Sequence, residues 1–420
     1  MLHLPPGKHA AAAQVVSTTG AAASVPAPLL ILILISTIQP VAMNMYVPAM
    51  AAMQVDLSTS ASHMQLTLSA FLAATAVGQL VVGPFSDMLG RRPVLLAGLA
   101  VFLVGTLVCI FAPDVEMLII GRIIQGVGGC TGLVLSRAIV RDVHGAAASA
   151  SMIGYVTMGM ALAPLITPAI GGVLYEISSW RVIFAFMGGV GIIGFLAAVL
   201  RLRETHTAQI GHNVFRRFGR EIVELVGIGE FWHVAFTLAA LSSAFFSFVA
   251  GGAFVAAEVF DLGASEYGLY FILIVIGYIL GNFCTGRFGA RLGILRMILI
   301  GNAVGLTGVL IAVALALAGS HSPFSLFAPM MLVGVGNGFS LPSSLAACVN
   351  VRPHLAGTAS GVAGAFQVGS GAVASVVVGL LIDSALWPNT VWPVLLPIAF
   401  GAFTAFGLAL GLGLKKNRSF

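Results

Sequence analysis

The chain has 420 residues, 59% hydrophobic and only 8% charged, with 19 Lys plus Arg against 14 Asp plus Glu and a formal net charge of +5. No water-soluble fold of that length could cover so much apolar surface with so few charges, so lipid is the solvent for most of it. The four cysteines (Cys109, Cys130, Cys284, Cys348) lack metal or disulfide spacing, the histidines form no metal-binding helix pattern, and the basic excess builds no contiguous domain that would take nucleic acid.

Residues 1–27 are rich in Ala, Ser, Thr and Pro and are expected to form a flexible cytoplasmic tail. From there, apolar runs of about 20 residues, each enough to cross roughly 30 Å of hydrocarbon, recur along the chain. Twelve helices are expected: 28–53, 63–85, 94–112, 115–140, 150–174, 181–201, 231–257, 266–287, 293–318, 323–350, 356–382 and 391–414. The fold class is therefore all-α integral membrane, with a six-helix bundle over 28–201, a cytoplasmic linker over 202–230, a second bundle over 231–414 and a cytoplasmic tail over 415–420.

An even number of crossings puts both termini on one face, and Lys and Arg collect on the cytoplasmic side. With the N-terminus inside, 17 of the 19 basic residues fall there: Lys8, Arg91, Arg92, Arg137, Arg141, Arg201, Arg203, Arg216, Arg217, Arg220, Arg287, Arg291, Arg296, Arg352, Lys415, Lys416 and Arg418. Arg181 falls outside, and Arg122 lies within a helix. A wrong helix count would scramble this alternation.

Two halves are also visible as a weak internal repeat. "GVGGCTG" from Gly126 is echoed by "GVGNG" from Gly334, and "GARLG" from Gly289 follows the eighth helix as "DMLGRR" follows the second. Such repeats are common in secondary transporters. The short loop "GPFSDMLGRRP", Gly83 to Pro93, places Asp87 beside Arg91 and Arg92. An ordinary basic loop accounts for the arginines but not for the acid, which can cap a helix or pair with a base across a closing gate.

That stretch resembles the G-x-x-x-D-x-x-G-R-R-P loop of the major facilitator superfamily, with Met88 where that family usually has Arg. "RIIQGVGG" from Arg122 resembles the fourth-helix motif with a buried Arg, and "MALAPLITPAIGG" from Met160 resembles the fifth-helix antiporter motif, with Thr167 where Gly commonly precedes Pro168; "SRAIVRDV" ending at Val143, "SSWRVIF" from Ser178 and "NMYVPAM" from Asn44 resemble the bicyclomycin and chloramphenicol resistance exporters (Bcr/CflA type). The resemblance runs from about Pro40 to the end. It implies the major facilitator fold, drug efflux by alternating access, and proton antiport across a bacterial inner membrane. It also makes Gly83, Asp87, Gly90, Arg91, Arg92 and Arg141 a cytoplasmic gate. By the same resemblance the position of Asn44 usually holds Asp, the expected proton carrier, and Asn cannot titrate.

Arg122 costs about 2.5–3.5 kcal/mol inside a bilayer unless paired or hydrated, so either backbone carbonyls neutralise it or it serves coupling or substrate. Gln125, three residues on, shares its face. Proton-coupling candidates are Arg122, Asp142 and Glu258. Polar stripes, such as Asn337, Ser340 and Ser344 on the tenth helix, give the substrate-binding candidates Gln39, Asn44, Tyr46, Gln65, Arg122, Gln125, Phe246, Tyr278, Asn282 and Asn337, each stripe serving equally well as interhelical hydrogen bonding. An apolar wall with Met, Phe and a few amides suits a small apolar or amphipathic molecule. Pro164, Pro168, Gly171 and Gly172 should bend the fifth helix, as a hinge or as a fixed kink. The expected protein is a monomeric, non-enzymatic exporter in a lipid bilayer, with no cofactor or metal and the proton gradient as its energy source. A sugar or metabolite exporter of the same fold, or an uncoupled facilitator, is the alternative.

Overall fold

The structure, a computed structural model, describes residues 29–206, 213–384 and 386–417. Lys8 and the rest of the N-terminal tail, residues 207–212 of the linker, and Arg418 lie outside the described residues. Among the described residues twelve helical segments are long and apolar enough to cross a membrane: Leu29–Asp56, Ala61–Leu89, Arg91–Ile110, Val115–Val143, Tyr155–Ile177, Trp180–Arg201, Gly229–Glu258, Ala264–Gly289, Ile294–Leu317, Phe324–Asn350, Ala356–Asp383 and Trp392–Gly413. They are called the first to twelfth spans below. The last helix continues to Asn417, past the expected start of the tail.

Two predicted boundaries are corrected by local chemistry. The first span is not one helix: it stops at Asn44, passes through a 3-10 turn over Val47–Ala49 and resumes over Met50–Asp56. Pro48 has no N–H to offer the carbonyl four residues back, so the ladder breaks there. The fourth and fifth spans belong to one helical run, Val115–Ile177. The direction nevertheless reverses inside it, because Gly132 approaches Ile35 and Arg122 bonds Ala42, whereas Gly159 approaches Ile33 and Gly171 approaches Met45.

The halves repeat each other in three dimensions. Gly126 lies on the backbone of Phe71 in the second span and Gly128 on that of Phe102 in the third; Gly334 lies on Ile274 in the eighth and Gly336 on Gly301 in the ninth. A Cβ at any of these four would sit 2.1–2.5 Å from a backbone atom, so only glycine permits the approach. Gly90 and Gly293, matched in the sequence repeat, both end one helix and start the next at positive φ, 96° and 80°.

The arginine-rich face is held within the first bundle and by the linker. Arg91 pairs with Asp87 at 2.5 Å and with Asp142 at 3.0 Å. Glu204, just past the sixth span, accepts the backbone N–H groups of Arg91 and Arg92 at 2.9 and 3.0 Å and so caps the third span. Its partial burial would raise the carboxyl pKa, but the N–H donors of His206, Arg91, Arg92 and Thr205 outweigh it and hold the group below the ordinary range. The linker helix Asn213–Val226 docks on the start of the eleventh span: Thr358 donates to Glu221 at 2.5 Å, and His354 meets Glu224 at 2.8 Å.

Candidate functional site

The break in the first span exposes backbone carbonyls at mid-span, and Arg122 fills it. The guanidinium is fully buried. Its Nη1 donates to the Ala42 carbonyl at 2.9 Å and to Gln125 Oε1 at 2.8 Å, while Nε makes a weaker 3.4 Å contact to the Thr67 carbonyl. The rings of Tyr46 and Phe71 lie 4.3 and 4.1 Å from its central carbon. Two aromatic faces and aligned carbonyls replace a counter-ion, as a desolvated cation requires. Among the described residues Arg122 pairs with no carboxylate, and its Nη2 has no partner.

The cage is tied to its neighbours in order. Thr67 gives its hydroxyl proton to the Met64 carbonyl at 2.7 Å, so the Tyr46 phenol is the donor in the 3.2 Å contact between Tyr46 and Thr67. Gln125 Nε2 donates to Thr106 Oγ1 at 2.8 Å, which fixes the amide so that its oxygen faces Arg122. Tyr46, Arg122 and Gln125 are thus brought together, with Thr67, Phe71 and Thr106 added. A side-chain wheel of one helix cannot show these last three, since each comes from another span.

Other predicted site residues are placed apart. Asn44 donates to the Pro40 carbonyl at 2.8 Å, one turn back, and leaves its Oδ1 unpartnered. Gln39 is buried beside Gly129, its Oε1 also unpartnered. Gln65 does not line the Arg122 cage; it bridges the bundles, donating to Ala250 O at 2.5 Å and accepting from Ser375 at 3.0 Å. Phe246 packs on Gly371 in the eleventh span. In the eighth span Asn282 donates to the Tyr278 carbonyl at 2.8 Å, one turn back. The stripe Asn337, Ser340 and Ser344 divides: Ser340 turns to the ninth span, bonding Ile298 O at 3.1 Å, while Asn337 Oδ1 and Ser344 Oγ are buried without partners.

The remaining candidates sit at the two membrane faces. Asp142 pairs with Arg91. The predicted loop from Gly83 to Pro93 shrinks to Gly90 between two helices, and Asp87, half-exposed in the last turn of the second span, sits on Arg91, so in this structure it does not reach a base of the other bundle. Gly83 has open space around it, and Arg141 is exposed. Glu258, on the opposite face, lines a pocket of about 190 Å³ with Phe254, Trp387 and Asn389. In the fifth span Thr167 donates to the Ala163 carbonyl at 2.8 Å, between Pro164 and Pro168, where prolines interrupt the ladder. Gly171 then packs on the broken turn of the first span, and Gly172 on Ala264 of the eighth.

Twelve spans in two matching halves, with one discontinuous helix and a cation buried among the spans, have the architecture of a secondary membrane transporter. The family model described as Major Facilitator Superfamily matches residues 32–376, and the chain belongs to that superfamily. It is 30% identical to the chloramphenicol resistance protein of Pseudomonas aeruginosa over 90% of this chain and 88% of that one. It is also 28% identical to the bicyclomycin resistance protein homolog of Haemophilus influenzae, over 84% of this chain and 89% of that one. Multidrug resistance protein D of Escherichia coli is 29% identical over 86% and 89% of the two chains. Among solved structures, an inward-facing, unoccupied bacterial homologue of the human lysosomal transporter Spinster aligns with a TM-score of 0.67 at 15% identity, covering 92% of this chain and 94% of that one.

Proposed function

We propose that the protein exports small, uncharged, apolar or amphipathic compounds of the amphenicol and bicyclomycin kind by alternating access. The arginine-rich face is cytoplasmic, the membrane is a bacterial inner membrane, and proton antiport drives the cycle. The observation that carries the substrate class is that, among the buried side-chain acceptors left without a donor, Gln39 Oε1, Asn44 Oδ1 and Asn337 Oδ1 belong to residues the sequence marks as substrate-binding candidates. Buried polar atoms in apolar walls are normally satisfied, so these three call for O–H or N–H donors from a ligand. A neutral molecule with a few hydroxyl or amide donors on an apolar frame meets that demand. The names of the resistance relatives support the same class.

Expression in a host deleted for its own drug exporters tests this. Resistance to an amphenicol is expected to rise several-fold with no change in sugar efflux. Sugar efflux without drug protection would replace the drug reading with that of a metabolite exporter. A second reading, an uncoupled facilitator, is favoured by Asn44, which carries no titratable proton at the mid-span break.

A further inference from the structure

On the face opposite the arginine-rich one, the bundles are joined by two carboxylates that each cap a helix of the other half. Asp383, ending the eleventh span, accepts the backbone N–H of Ala61 at 3.0 Å and of Ser62 at 2.9 Å, the first residues of the second span. Glu176, at the end of the fifth span, accepts the N–H of Ser265 at 2.9 Å, at the start of the eighth. A helix N-terminus presents unpaired N–H groups and partial positive charge, so an ionised carboxylate is its natural partner. Both caps cross between bundles.

The two sites are copies of one device. Gly172, Leu174, Glu176 and Trp180 align with Gly379, Leu381, Asp383 and Trp387, each 207 residues later, and Ala61–Ser62 align with Ala264–Ser265, 203 residues later. The packing repeats as well. Gly172 lies on the backbone of Ala264 and Ser265, and Gly379 lies on Ser62 and Gln65, one helical turn before the acid in each case. An acid kept in both copies, each aimed at the partner helix's first N–H groups, is more than local capping would require, because the donors belong to the other bundle.

We propose that Glu176 and Asp383 are a pair of positioning residues that latch this face shut, and that both caps must be released for the transporter to open there. Neither acid touches the Arg122 cage, and the latches need no assumption about substrate or coupling. Capping groups are worth about 1 kcal/mol, so each is expected to bias the closed state about fivefold and the pair about twenty-fivefold. That is enough to set the resting conformation without locking it.

Amide hydrogen exchange on the full chain in lipid nanodiscs reads the capped N–H groups directly. Asp383→Asn is expected to speed exchange at Ala61 and Ser62 about fivefold, and Glu176→Gln to do so at Ser265. The double variant should also speed exchange along the paired second and eleventh spans on this face, while amides near Gln79 and Tyr278 on the arginine-rich side become more protected. Asp383→Glu should restore the closed pattern. Faster exchange confined to the capped amides, with the arginine-rich side unchanged, would reduce both acids to local helix caps and overturn the proposal. If the double variant does not fold, Asp383→Asn alone carries the test, since its two lost bonds must still shift protection on the far side.

Discussion

Arg122→Leu is expected to destabilise the protein by several kcal/mol and to lower transport per folded molecule by tenfold or more. Two effects compete. Deleting the charge recovers the cost of burying it, about 2.5–3.5 kcal/mol. Against that stand two good hydrogen bonds from a charged donor, to Ala42 O and Gln125 Oε1, at roughly 1.5–3 kcal/mol each, and two desolvated ring contacts at about 2 kcal/mol each. The losses exceed the gain. They also leave the Ala42 carbonyl buried without its Arg122 donor, at the place where the first span has no ladder to fall back on, and the Gln125 oxygen with only the weak Cys109 S–H at 3.7 Å. Arg122→Lys should be intermediate, because an ammonium keeps the charge but loses the planar fork and the stacking. Thermal unfolding in detergent, with flux normalised to folded protein, gives the comparison. A leucine variant as stable as the natural chain would mean that the cation is a burden retained for transport alone.

The second large effect belongs to a residue with no side chain. A Cβ at Gly171 would lie 1.7 Å from the Met45 carbonyl oxygen, far inside van der Waals contact with a backbone atom that cannot rotate away. Gly171→Ala is therefore expected to cost about 3 kcal/mol or more, beyond ordinary overpacking, and to yield little folded protein. Gly189→Ala is the matched control. Gly189 is exposed, with nothing within 4 Å of its Cβ position, so alanine there should be neutral or stabilising by about 0.5–1 kcal/mol from helix propensity. Equal expression and melting of the two variants would show that the fifth span does not rest on the broken turn.

These residues also show where sequence reasoning succeeds and stops. Spans and their alternation were legible because lipid demands about 20 apolar residues per crossing and collects arginine on one face. The Arg122–Gln125 pair was legible because three residues of helix bring two side chains together. The break at Pro48 was present in the letters but was subsumed in a run that hydropathy sees as continuous. Glu204 was beyond reach: it caps Arg91 and Arg92 from more than a hundred positions away, and nothing local marks it. Helical wheels grouped Ser340 with Asn337 and Ser344, but which neighbour a face meets depends on packing, and Ser340 met the ninth span. Asp87 looked like a gate acid, yet Arg91 one turn away was the nearer base. The matched acids Glu176 and Asp383 sat in plain view as a repeat, and became meaningful only when their N–H donors appeared on the opposite bundle.

Proton-driven export of a neutral drug is tested most directly by uptake of labelled amphenicol into everted membrane vesicles with an imposed pH gradient. The natural chain is expected to concentrate the drug when the vesicle interior is acidic and to lose that accumulation when a protonophore is added. Arg122→Ala should not accumulate it. Drug entry that ignores the gradient in the natural chain but follows it in Asn44→Asp would contradict antiport and make this transporter a facilitator that lacks its coupling acid.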